Sequence, residues 1–225
     1  MKKISVHPFL WWGIPILLMI AQLLSEALLP DVEKPAFFSE EGPHEKFQAA
    51  IMWVAVYFAV RLTWRAEGLW LKLWYGIATL GCIFIAGEEI SWGQTYLHWV
   101  TPDSWTAIND QGETNLHNTS DWLDQKPKIL LQIGVLVGGL IIPAYQKWNP
   151  AKLPARFAAL YPTYHVVVAA GFAFAVKLID TIQDRLDRHL FWRASEVLEV
   201  YIYYFILMYL LVMWRMMNAK SESAV

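Results

Sequence analysis

LWLKLWYGIATLGCIFIAGEEI, residues 69–90, decides the fold. Apart from Lys72 it stays apolar for about the 20 residues that a bilayer core asks of a helix. It then closes on two adjacent acids, Glu88 and Glu89. Lipid offers no partner for backbone N–H and C=O groups, so a run of this kind reads as a helix and not as an open strand. Five further stretches have the same character, at 9–29, 47–64, 129–147, 162–180 and 197–214. The expected fold class is all-α: a polytopic integral membrane helix bundle with about six transmembrane helices, one domain over 1–225.

Composition agrees. Of 225 residues 56% are hydrophobic and only 17% charged, against about 25% charged in ordinary soluble domains. Thirteen tryptophans suit a chain with two membrane interfaces. The single cysteine, Cys82, lies inside an apolar run and excludes an intramolecular disulfide. No long basic cluster or DNA-binding motif points to nucleic acid. The first span follows Met-Lys-Lys, as a secretory signal would, but no small-x-small cleavage site comes after it, so the reading is a retained span.

Charge sorts the loops into two sets. If the N-terminus is cytoplasmic, the inner segments hold ten Lys/Arg and two acids, while the outer segments hold seven Lys/Arg and 18 acids. The Lys/Arg bias predicts both termini inside. The expected setting is a bacterial inner membrane, with the long loop 95–128 outside. A loop of that length usually carries function or lacks structure. Trp105 and Trp122 flank its polar run and favour function.

Ionisable groups at the end of a span are costly and call for a partner or a purpose. Glu88, Ser91, Trp92 and Thr95 would share one face if the helix continued past the acids. Two carboxylates at close range raise at least one pKa, which suits a proton carrier, a general acid or a metal ligand. In the loop, NDQGETNLHN (109–118) sets Glu113 four residues before His117, so a helical turn would align them as a carboxylate/imidazole pair. Asn109, Gln111, Asn115 and Asn118 surround that pair with amides. Further along, Asp180, Gln183, Asp184 and Asp187 share a helical face, and Lys177 predicts an ion pair with Asp180. Glu196 and Glu199 open the last span, with Tyr203 one turn on, where acids also suit the positive end of a helix dipole. Arg185, Arg188 and Arg193, grouped around His189, form a candidate site for an anionic headgroup. Around Gly42-Pro43, the acids Glu40, Glu41 and Glu45 read as a turn and an acidic helix start.

The strings GEEISWGQ and GETNLHN resemble segments of a group of bacterial multi-span membrane proteins that brings no function with it. Glu88-Glu89-Ile90 and the His117-x-x-x-Asp121 spacing also resemble the CAAX-prenyl-endopeptidase-like membrane proteases. That likeness implies water activation by Glu88 or Glu89 and oxyanion stabilisation by His117. This chain departs from the protease pattern: Gly93 stands at the arginine position and Glu113 at the phenylalanine position, and it has fewer spans.

The resulting expectation is an enzyme acting on a lipid-linked substrate at the outer face, dependent on a divalent metal ion. Glu88, Glu89 and His117 would carry the chemistry. Glu89, Glu113, His117, Asp180 and Asp184 would hold the metal, since carboxylates with imidazole suit a hard or borderline ion. Arg185, Arg188 and Arg193 would receive the headgroup, and membrane lipid would be the surrounding partner. Two other readings stay open: a cation- or proton-coupled transporter, channel or sensor, and a non-catalytic subunit of a membrane complex. A conducting route needs polar groups through the whole membrane, whereas an enzyme needs them at one face only.

Overall fold

The computed structural model describes residues 5–39, 42–106, 108–109, 112–116, 119–186 and 190–221. Six helices are long and apolar enough to cross a membrane: α1 (Phe9–Leu28), α2 (Pro43–Arg65), α3 (Leu69–Glu88), α4 (Gln125–Trp148), α5 (Tyr164–Leu186) and α6 (Ala194–Ala219). No strand occurs among the described residues. The chain is therefore an all-helical, membrane-spanning bundle.

α6 is its central post. Every residue from Val197 to Phe205 is buried, so this stretch is enclosed on all sides, as a helix apolar all round must be. It packs chiefly on α2 and α5, and α2 carries α3 on its other side. Small residues make this approach close: Ala55 and Ala59 of α2 are fully buried. In lipid, where no hydrophobic force drives helices together, such small-residue seams supply the van der Waals contact. Two α6 tyrosines tie down α1, Tyr201 donating to the Pro15 carbonyl (3.0 Å) and Tyr204 to the Leu10 carbonyl (2.6 Å).

Several boundaries differ from those expected, each for a physical reason. α2 starts at Pro43 and not at 47, because a proline at the first helical position needs no N–H partner. The fourth helix begins at Asp121, and its apolar span at Gln125 and not at 129, so that it takes in Lys126 and Lys128. Lys128 is tolerated there because Glu199 pairs with it at 2.9 Å. α5 continues to Leu186, and its Lys177–Asp180 pair forms as the spacing predicts (2.9 Å).

The largest correction concerns the end of α3. Helical φ/ψ stop at Glu89, and Ser91, Trp92 and Gly93 follow in succession with positive φ (45°, 56° and 105°). Glu88, Ser91, Trp92 and Thr95 thus share no helical face. The chain instead doubles back at once, with short helical turns at Gln94–Leu97 and Asp103–Thr106.

Candidate functional site

The acids divide into two sets with different work. Glu88 is buried and serves the loop: one carboxylate oxygen accepts from the Trp92 indole N–H, the other from the Leu116 backbone N–H at 2.7 Å. Glu113 accepts from the Ser91 hydroxyl and from the Asn115 amide (2.6 Å). Asn109 donates to the Asn115 carbonyl and side chain, and Gln94 binds the Thr114 N–H (2.7 Å) and donates to Thr101 (2.7 Å). The described part of loop 91–116 is thus a polar knot whose side chains substitute for missing backbone ladders. Left-handed φ at Ser91 and Trp92 costs roughly 1–2 kcal/mol per residue, and these bonds hold it.

Gly87 is part of the same construction. A Cβ on it would stand 2.8 Å from the Trp92 ring, so the indole lies flat on a bare backbone. Gly87→Ala is expected to push that ring off and break its bond to Glu88. The predicted loss is about 1–3 kcal/mol, the usual cost of overpacking, read as a lowered melting temperature in detergent. An unchanged melt would show that the ring has room to move.

The second set gathers against α6. Glu89 accepts from the Tyr203 hydroxyl at 2.9 Å. Burial, the nearby Glu199 carboxylate and then that of Glu196 hold the Glu89 carboxyl well above the usual range, against the opposing pull of Tyr203 and Lys128. Glu199 pairs with Lys128 of α4, and Glu196 with Arg193 at 3.0 Å. From α2, Gln48 donates to the Glu196 carbonyl at 3.0 Å, while its own Oε1, in a residue with no exposed surface, accepts no hydrogen bond. Beside this cluster Glu26 of α1 accepts from the Trp192 N–H (2.7 Å) and from Gln22, which in turn meets His44.

The remaining expected residues lie elsewhere. Residues 112–116 are not helical, so the Glu113 and His117 spacing does not act through a helical turn. His117, Asp187, Arg188, His189, Glu40, Glu41, Gln111 and Asn118 fall outside the described residues. Asp180 is bound to Lys177, and Asp184 and Arg185 are exposed on α5. Arg193 turns inward, donating to the Phe38 carbonyl (3.2 Å) and to Glu196. Among the described residues no three His, Cys, Asp or Glu side chains are arranged as metal ligands.

Sequence reasoning passed over Gln22, Glu26, His44, Gln48 and Lys128. A usable signal existed for the first two: Gln22 and Glu26 are polar residues one helical turn apart inside a run that is apolar but for Ser25. Compared with known proteins, the chain matches no family model, no curated protein and no solved structure.

Proposed function

We propose that this integral membrane protein is an enzyme acting on the polar end of a lipid-linked substrate, with Glu89 as its acid/base group. One observation carries the reading. Glu88 and Glu113 are committed to the loop, whereas Glu89 meets a single tyrosine hydroxyl within a cluster of carboxylates that favours its protonated form. A carboxylic acid kept neutral near pH 7 can donate a proton to a leaving group and take one back. Gln48 Oε1 adds an acceptor without a partner, placed for a water or a substrate hydroxyl near Glu196. A proton carrier could use the same carboxyl, but the transport reading further requires polar groups through the whole membrane.

A divalent metal would supply a second way of activating water. The described donors do not make its ligand set: Glu89 and Glu199 are hard oxygen donors, but the Lys128 ammonium already stands on Glu199. No step here passes through a metal. Metal analysis of protein purified without chelators decides the point, and a stoichiometric ion lost in both Glu89→Ala and His117→Ala would establish the metal reading.

The test of the enzyme reading uses Glu89→Gln, which keeps the shape and removes the proton. Wild-type protein in vesicles is screened against lipid-linked esters and phosphodiesters, with products identified by mass spectrometry. Turnover should fall by about two orders of magnitude or more in Glu89→Gln, the scale of general acid/base catalysis, and persist in Asp184→Asn. No turnover of either class by folded wild type would overturn the assignment.

The pH sign follows from the raised carboxyl. A group with a raised folded-state pKa contributes stability at low pH, and that contribution disappears as pH rises through the folded value. The groups facing Glu89 are Glu196, Glu199 and Tyr203 from α6 and Lys128 from α4. Infrared difference spectra should show a protonated carboxyl that outlasts ordinary glutamates as pH is raised and is missing in Glu89→Gln. Because the Tyr203 hydroxyl favours the carboxylate, Tyr203→Phe should carry that band to still higher pH. A band absent at neutral pH would refute the acid role.

The orientation belongs to the same proposal: both termini face the cytoplasm and the 91–116 knot faces outward, in a bacterial inner membrane. A cysteine at Ser104 in a Cys82→Ala background should react with an impermeant maleimide added to intact cells. Labelling only after the membrane is opened would reverse the topology.

A further inference from the structure

The seam between α4 and α5 closes at one level and stays open at another. The pinch is at Gly139, within a π-helical turn, Leu136–Ile141. A Cβ on Gly139 would stand 2.3 Å from the Ala170 Cβ, so only glycine allows this contact. From there toward the start of α4 lies a crevice of about 230 Å³. Its walls are Ile133 and Leu136 of α4 and Ala173 and Phe174 of α5, and its floor is Leu198 and Ile202 of α6. Ile133 and Phe174 are each about half exposed, so it opens on the outer surface of the bundle.

All three helices are membrane spans, so the medium at that opening is hydrocarbon. A polar occupant would lose its hydrogen bonds against such walls. The polar residues of the lining are Gln132 and Lys177. The Lys177 side chain is nearly half exposed at the rim, and the bond of its ammonium to Asp180 uses one of three donors. Lys128 lies one turn from Gln132 on α4, and Glu199 nearly one turn from Ile202 on α6. The Lys128–Glu199 bridge therefore borders the same end of the crevice, next to the Glu89 cluster.

We propose that this crevice seats one acyl chain of a phospholipid from the surrounding bilayer, with the lipid phosphate at Lys177. This deepens the enzyme reading by naming the substrate class, and rests on that reading only for the claim that the bound lipid is a substrate. A chain held here brings the ester and phosphate end of the lipid level with the carboxylates around Glu89. The crevice acts as a lateral route from the bilayer to the acid.

Photoactivatable phosphatidylglycerol, with a diazirine at mid-chain, tests this in phosphatidylcholine vesicles holding the full-length protein. Mapped adducts should concentrate on residues 129–136 and 173–177, several-fold above the exposed Leu23 and Leu24 of α1. Ile133→Trp changes a half-exposed position and so is tolerated by the fold. It should cut crevice labelling several-fold while leaving Leu23 and Leu24 unchanged. Lys177→Gln should reduce labelling by phosphatidylglycerol to that of a photoactivatable phosphatidylcholine. Adducts spread evenly over the lipid-facing surface, or crevice labelling unmoved by Ile133→Trp, would overturn the seat. An anionic preference that survives Lys177→Gln would overturn the phosphate assignment. Glu89→Gln should label normally while inactive. Normal labelling without turnover therefore sinks the enzyme reading alone, and Glu89-dependent turnover without crevice labelling sinks the crevice alone.

Discussion

Glu88→Ala is expected to open the whole 91–116 loop. The substitution strips the Trp92 indole and the Leu116 amide of their acceptor at once. Hydrogen bonds to a charged group contribute about 1.5–3 kcal/mol each, and a donor left buried without a partner adds to the loss. Two such bonds set the predicted destabilisation at about 3–5 kcal/mol, among the larger effects of any single substitution. The left-handed turn at Ser91–Gly93 would then lose the clamp that holds its unfavourable φ values. Thermal unfolding in detergent and limited proteolysis between residues 91 and 116 read the effect directly. A variant that melts and resists protease like wild type would show that the loop stands without Glu88. Glu89→Gln makes the informative contrast: it should leave the loop intact and abolish turnover, although the two acids are neighbours in sequence.

The second large effect is at Gly139. Gly139→Ala places a methyl group 2.3 Å from the Ala170 Cβ and 3.0 Å from the Phe205 ring, and the first contact joins two Cβ atoms that no side-chain rotation can move apart. α4 and α5 must separate, at a cost of about 1–3 kcal/mol or more. In a membrane bundle the close approach is itself the source of association, so the loss falls on the helix pair as a whole. Ala170→Gly combined with Gly139→Ala should recover much of it, because the two methyl groups compete for one space. A double-mutant cycle measures that recovery as a coupling between neighbouring sites. Strict additivity of the two changes would show that the contact is not shared.

The two glutamates of GEEISWGQ explain why a single motif resists a single reading. Adjacent residues on a helix point about 100° apart, and here the helix ends between two environments. Glu88 looks toward the returning loop and meets N–H donors. Glu89 looks toward α6 and meets other carboxylates. Identical side chains are thus placed in opposite electrostatic surroundings by their divergence on the last turn of the helix.

Length and hydropathy alone determined the all-helical bundle, the number of spans and the clustering of acids at their ends, because a bilayer core imposes one length scale on every apolar run. The Lys177–Asp180 pair was equally legible, since a helix fixes which residues face each other three and four positions apart. Tertiary structure alone decided which acids hold the 91–116 loop and which gather against α6. Glu88 had looked catalytic and Glu113 a metal ligand, yet they bond to Leu116, Ser91 and Asn115 across a reversal that no periodicity encodes. Lys128 and Gln48, each inconspicuous in its own segment, acquire meaning only because α2 and α4 bring them to Glu196 and Glu199. Local spacing carries the information for contacts within one helix, whereas contacts between helices depend on packing contacts such as Gly139 against Ala170, set by the bundle as a whole.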